Sequence, residues 1–192
     1  FTAINAGTHQ GAISIAITGN TTEPATPVQL LASGGTVSYT SINIAPIGGN
    51  FTIGSAVTPT THRGLIELFG ADNVTINGDD PGTAGTRNLT FQMNNTAAIA
   101  SSCIRLMSTA ASAGTGCTNV TIKNCNLIGG RISNVDATVT MGVSLASLST
   151  TSMTTGGYDH ENFTFDNNYV IRAYYGLYIV GVTGGTHGNC VV

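Results

Sequence analysis

One short alternating segment recurs along the chain at uneven intervals, and this limits the folds open to it more than any other feature. Asp72-Asn73-Val74-Thr75-Ile76-Asn77-Gly78 matches Thr118-Asn119-Val120-Thr121-Ile122-Lys123-Asn124 without a gap. Both match Glu161-Asn162-Phe163-Thr164-Phe165-Asp166-Asn167, and Gly188-Asn189-Cys190-Val191-Val192 repeats the opening of the same unit. A second alternating unit precedes each copy: Ile66-Glu67-Leu68, Ile104-Arg105-Leu106, Val143-Ser144-Leu145 and Leu177-Tyr178-Ile179. The strands keep their pattern while the connections between them vary in length. Period-two alternation means a strand with one buried face. Residues 74/76, 120/122 and 163/165 share that face, and Thr75, Thr121 and Thr164 share the other. No amphipathic helix of useful length lies between the copies. Successive copies must therefore stack directly as parallel strands around a shared apolar axis, which is a parallel β-helix.

The corners are repeated too. Asn124 and Asn167 follow the strand at the same place, with Gly78 as their equivalent. Asn and Gly are the residues that accept left-handed backbone geometry, and a stacked Asn can bond to the coil above and below. A third strand is expected at Leu127-Ile128 and at Tyr169-Val170-Ile171. Residues 1–60 read as opening coils, with strands at 13–17, 41–44 and 51–53 and turns at Gly19-Asn20 and Gly48-Gly49-Asn50. Residues 61–192 read as the main coils of one continuous domain. Segments 80–87, 108–117 and 147–158 are small and polar and read as protruding loops.

Composition narrows the function. Only 8% of the 192 residues are charged, against about 25% in an ordinary soluble domain. The net charge is -3 and the six basic residues are scattered, which disfavours nucleic acid as a partner. No apolar run is long enough to span a membrane. Five Pro and an aperiodic distribution of 25 Gly exclude collagen. Chain ends at Phe1 and Val192 that carry no start or signal features read as those of a processed or partial piece.

The run Ile4-Asn5-Ala6-Gly7-Thr8-His9-Gln10-Gly11-Ala12-Ile13 through Gly19-Asn20-Thr21-Thr22-Glu23, with Gly70–Gly78 and the Asn119 repeat, resembles large secreted β-helix repeat proteins common in Bacteroidetes-like bacteria. The resemblance implies a right-handed parallel β-helix, export to the cell surface or medium, and a short capping helix before the first coil, of which Phe1–Asn5 is the remnant. It carries no catalytic residues to this chain.

Candidate chemistry is sparse. Glu67 and Arg105 occupy the same outward position of neighbouring coils, about 5 Å apart at Cα. They read as an exposed ion pair worth a few tenths of a kcal/mol, roughly, or else as a glycan- or partner-contact site with Tyr178, which continues the same column. Tyr169, Tyr174 and Tyr175 lie nearby. Asp79-Asp80 reads as a turn, Asp166 as an outward residue near a corner, and His160 and His187 as aligned turn residues. Cys103, Cys117, Cys125 and Cys190 fit no metal-site spacing; they can form two disulfides or remain buried thiols. Asn-x-Thr occurs at Asn20, Asn50, Asn73, Asn88, Asn94, Asn119 and Asn162, and at Asn73, Asn119 and Asn162 it is simply the repeat. The Thr75/Thr121/Thr164 column is too narrow for an ice-binding face. No motif for a cofactor, a phosphate or a catalytic triad appears. The expectation is a non-catalytic structural or adhesive module whose partners are its own copies, other surface proteins or glycans. The alternative is a carbohydrate-binding or polysaccharide-cleaving β-helix domain.

Overall fold

The computed structural model describes residues 1–55, 61–83, 85–94, 99–130, 140–146, 155–185 and 187–192. Among the described residues, fifteen strands follow a short helix α1 (Thr2–Asn5) and wind in five coils. The first coil holds β1 (Gly11–Ile17), β2 (Thr21–Glu23) and β3 (Leu30–Leu31). The second holds β4 (Tyr39–Pro46), β5 (Phe51–Ser55) and β6 (Arg63–Phe69), and the third β7 (Val74–Asn77), β8 (Leu89–Gln92) and β9 (Ser101–Met107). The fourth holds β10 (Val120–Lys123), β11 (Cys125–Ile128) and β12 (Thr140–Ala146), and the fifth β13 (Thr164–Asp166), β14 (Tyr169–Ile171) and β15 (Tyr175–Ile179).

Each coil gives one strand to each of three parallel five-stranded sheets, ordered β1-β4-β7-β10-β13, β2-β5-β8-β11-β14 and β3-β6-β9-β12-β15. We refer to these as sheets A, B and C. This is the chain path of a parallel β-helix. The repeat alignment is the observed register: Val74 pairs with Val120, Thr75 with Thr121, and Thr121 with Thr164. Glu67 pairs with Arg105, Arg105 with Ser144, and Ser144 with Tyr178. A sixth turn begins where Val191 bridges Thr164.

The core is a set of inward columns. One runs Ile13, Ile42, Val74, Val120 and ends in Phe163; its neighbour runs Ile15, Ile44, Ile76, Ile122, Phe165. Each inner side chain meets its equivalent one coil away, so a Φ-x-Φ pattern buries a continuous axis. The middle of each column is fully buried, whereas Ile13, Ile15 and Ile17 at one end and Phe165, Val170 and Leu177 at the other are partly exposed.

The third strand is more widespread than the sequence signal. It occurs in every coil, including β8, which follows a ten-residue insertion at 79–88 that breaks the alignment. Cys125 therefore pairs with Leu89 rather than lying level with Asp79. Residues 80–83 and 85–87 form a loop as expected, residue 84 lies outside the described residues, and 108–117 contains no strand. Of the expected 147–158 loop, residues 147–154 lie outside the described residues. Among the described residues, no helix is long and apolar enough to cross a membrane.

Candidate functional site

The corners carry the most regular chemistry. Asn73, Asn119, Asn162 and Asn189 open successive strands of sheet A with φ of 56°, 54°, 52° and 52°. Left-handed backbone turns the chain into the strand and projects each amide along the rod axis. Asn119 Nδ2 donates to Asn73 Oδ1 at 2.9 Å, Asn162 to Asn119 at 2.9 Å, and Asn189 to Asn162 at 3.0 Å. A second ladder runs at the other end of the same strands: Asn124 Nδ2 donates to Asn77 Oδ1 at 2.9 Å and Asn167 Nδ2 to Asn124 Oδ1 at 2.8 Å. Arg87, from the insertion after β7, donates to the Asn167 side chain at 2.6 Å and to its carbonyl at 2.8 Å, finishing that ladder.

Asn124 and Asn167 are left-handed as expected, with φ of 56° and 47°. Gly78 is not. Its glycine is required for space, because a Cβ there would run into the Asn124 carbonyl and come within 3.0 Å of Cys125 Cα. Asn77 fills the ladder position instead.

Glu67 and Arg105 are adjacent, as their shared column implies, but they are not exposed. Their side chains are 7% and 1% accessible, and Arg105 Nη1 lies 3.6 Å from Glu67 Oε1. Sheet C is buried on both faces through β9 and β12 and nearly throughout β6. Alternation reveals which residues point outward from a coil; it does not reveal what lies over them. The pair is bound into the structure. Gly64 N–H donates to Glu67 Oε1 at 2.8 Å, Gln29 Nε2 to Oε2 at 2.9 Å, and Arg105 to the His62 carbonyl at 3.3 Å. Burial lowers the pKa of Arg105, and the Glu67 carboxylate opposes that shift. Arg63, equally buried, donates to the Pro24 carbonyl at 3.2 Å. Arg63, Gln29 and His62 lie outside every periodic unit, and no signal in the sequence marks them as neighbours of the pair.

Tyr178 does not join Glu67 and Arg105. Ser144 intervenes, and two strand spacings put Tyr178 about 10 Å from Arg105. Tyr178 instead packs on Ala100 and Met141 and meets Tyr175, with ring centroids 5.3 Å apart. Tyr174 stacks edge-on against Tyr175 at 4.6 Å. Tyr169, Tyr174 and Tyr175 are exposed. A cavity of about 420 Å³ lies beside Glu67 and is lined in part by Gln29, His62 and Arg63.

Asp80 is a turn residue as expected. It accepts the Gly82 and Gly48 N–H groups at 2.9 and 2.8 Å, and these bonds hold its carboxyl below the usual range. Among the described residues, no group of three or more His, Cys, Asp or Glu could hold a metal ion. The four cysteines are free thiols. Cys103, Cys117 and Cys125 are buried on the axis, and desolvation pushes each up to about 12. The short helix α1 packs on the first coil: Ile4 is buried, and the Asn5 side chain donates to Gln29 O at 2.7 Å and accepts from Leu31 N at 3.2 Å. That amide takes the place of a strand on the free edge of β3.

Comparison of the chain with protein-family models, with curated proteins and with solved structures finds no match.

Proposed function

We propose that this chain is a non-catalytic structural module of the cell exterior, a stiff right-handed β-helical rod that assembles end to end into a surface filament. The observation that carries the reading is the pair of asparagine ladders running beside unbroken apolar columns. Amide–amide bonds and close-packed strands repeat at every coil, so the module resists bending and each coil reinforces the next. A right-handed path follows from the strong preference of parallel β-crossovers for that hand.

The sheet edges support assembly: sheets A, B and C run from β1, β2 and β3 to β13, β14 and β15, all parallel. Beside the first coil lies a cavity of about 640 Å³, lined by Ile15, Ile17, Ile44, Ile53, Leu65 and Phe91 together with Phe1 and Thr2. Unpaired parallel edges around an apolar mouth are templates for another coil, and head-to-tail contacts of this kind generate open filaments. Asn5 occupies the edge of β3, which leaves β1 and β2 to receive a neighbour. Export supplies the low-charge, Thr- and Asn-rich surface with a setting in which rods and adhesins work. Sedimentation velocity over a wide concentration range tests the assembly. The expected result is a series of species growing with concentration, weakened by Val170→Lys at the open end. A single monomeric boundary throughout would reject it.

The second reading, a carbohydrate-binding or carbohydrate-cleaving domain, is favoured by the exposed Tyr174–Tyr175 cluster and by the cavity beside Glu67, whose lining includes Gln29, His62 and Arg63. Aromatic faces and planar amide or guanidinium groups are the chemistry that binds sugars. Calorimetric titration with oligosaccharides, repeated with Glu67→Gln and Tyr175→Ala, separates it from the first.

A further inference from the structure

His160 and His187 occupy the same corner of successive coils, where the end of sheet C returns to the start of sheet A. His160 Nδ1 accepts the N–H of Cys117 at 3.0 Å, and His187 Nδ1 accepts the N–H of His160 at 3.2 Å. A ring whose Nδ1 accepts a backbone N–H carries its proton on Nε2. Both Nε2 atoms face carbonyls: His160 that of Ala146 at 3.1 Å, His187 that of Val180 at 3.1 Å. Each imidazole therefore ties the end of one β-strand layer to the start of another through two backbone bonds. The rings are stacked, with centroids 5.2 Å apart.

We propose that this histidine pair is an acid-sensitive latch, which holds the fifth coil closed on the rod at neutral pH and releases it on protonation. The bonding pattern admits only the neutral ring. A proton on Nδ1 would set N–H against N–H and break the tie to the preceding coil. A charge on one ring also opposes a charge on the other across the stack. His160 is fully buried, and desolvation holds its pKa down at about 4. The titratable groups around the pair are few. The Asp159 carboxylate favours the charged ring, but it is engaged by the Gly114 N–H at 2.6 Å. The Cys117 thiol is buried and neutral, and Glu161 is exposed beside Gly188.

The element the latch controls is less buried than the coils before it in the middle of the rod. No residue of β13, β14 or β15 is fully buried, whereas the equivalent β10, β11 and β12 are buried at every inward position. A coil with so few fully buried residues can open without unfolding the others.

The tyrosines report this coil. Tyr158, Tyr169, Tyr174, Tyr175 and Tyr178 lie in or beside it, Tyr39 alone lies elsewhere, and there is no Trp. Acid titration followed by near-ultraviolet circular dichroism (tyrosine packing) and far-ultraviolet circular dichroism (strand content) tests the latch. The expected result is that tyrosine packing is lost about one pH unit or more above the loss of strand content. In a His160→Gln/His187→Gln variant, whose amides can accept and donate but do not titrate, that early transition is expected to vanish. Coincident transitions in the natural protein, or an early transition that survives in the variant, would overturn the proposal. If the variant does not fold, imidazole nitrogen chemical shifts of the natural protein decide: both rings are expected as the neutral Nε2–H form at pH 7, and an Nδ1–H or charged ring at either position overturns it.

Discussion

The side chains of Asn119 and Asn162, 43 residues apart, are joined by an amide–amide hydrogen bond of 2.9 Å between equivalent corners of adjacent coils. Asn serves two purposes there: it accepts the left-handed φ, and it carries the bond. The two are separable. Asn119→Gly keeps the backbone and loses the bond, at about 1 kcal/mol. Asn119→Ala loses both, at about 2–3 kcal/mol. Urea unfolding measures the two costs: equal values would mean that the left-handed backbone contributes nothing, and a Gly variant as stable as the natural protein would mean that the bond contributes nothing.

Glu67 and Arg105 give a different signature from a surface pair. Removing either partner alone leaves a buried charge without its counter-ion and costs roughly 3–5 kcal/mol. Replacing both, as in Glu67→Leu/Arg105→Met, costs much less than the sum of the single changes. The coupling from this double-mutant cycle should change little between low and high salt, since the pair is shielded from solvent.

Gly78 is a matter of space. Gly78→Ala drives a methyl group into the backbone of the next coil and should cost about 3 kcal/mol or more. Gly19→Ala, where a Cβ meets nothing within 4 Å, should fall within about 0.5 kcal/mol of neutral. Thermal melts of the two variants make the comparison.

Thiol reactivity should divide three to one. Cys190 is half-buried, while Cys103, Cys117 and Cys125 are buried with pKa values near 12. Alkylation under native conditions followed by mass spectrometry should label Cys190 first. The other three should be labelled only at the rate of unfolding.

His160 makes the whole fold sensitive to acid. Its pKa is 6.5 when free and about 4 in the folded protein, so between those values the unfolded chain binds the proton that the folded chain refuses. The stabilisation is complete above pH 6.5 and is lost as the pH falls towards 4, by on the order of 3 kcal/mol. Urea midpoints measured from pH 7.5 to 4 should decline in the natural protein and decline less in His160→Gln.

Much of the fold is legible in the sequence because a β-helix repeats its register. Val74, Val120 and Phe163 align in the chain and stack in space, and the Asn corners announce their own backbone geometry. The insertion at 79–88 concealed β8, since alignment without gaps carries Asp79 into the place of Leu89. The environment of Glu67 and Arg105 was not legible either. Alternation fixes the side of the strand, while burial of that side depends on segments such as 24–31 and 61–63, whose packing has no period. The His160/His187 alignment was visible as a pair of turns. Its bonding has no sequence signal, because it depends on the Cys117 and His160 N–H groups pointing at the two rings.

In the proposed assembly this rod joins its neighbours end to end. Electron microscopy of concentrated protein at neutral pH tests it most directly. Unbranched linear particles are predicted, with lengths increasing in steps of about 24 Å, the rise of five coils. Dispersed particles of one length at every concentration would contradict it.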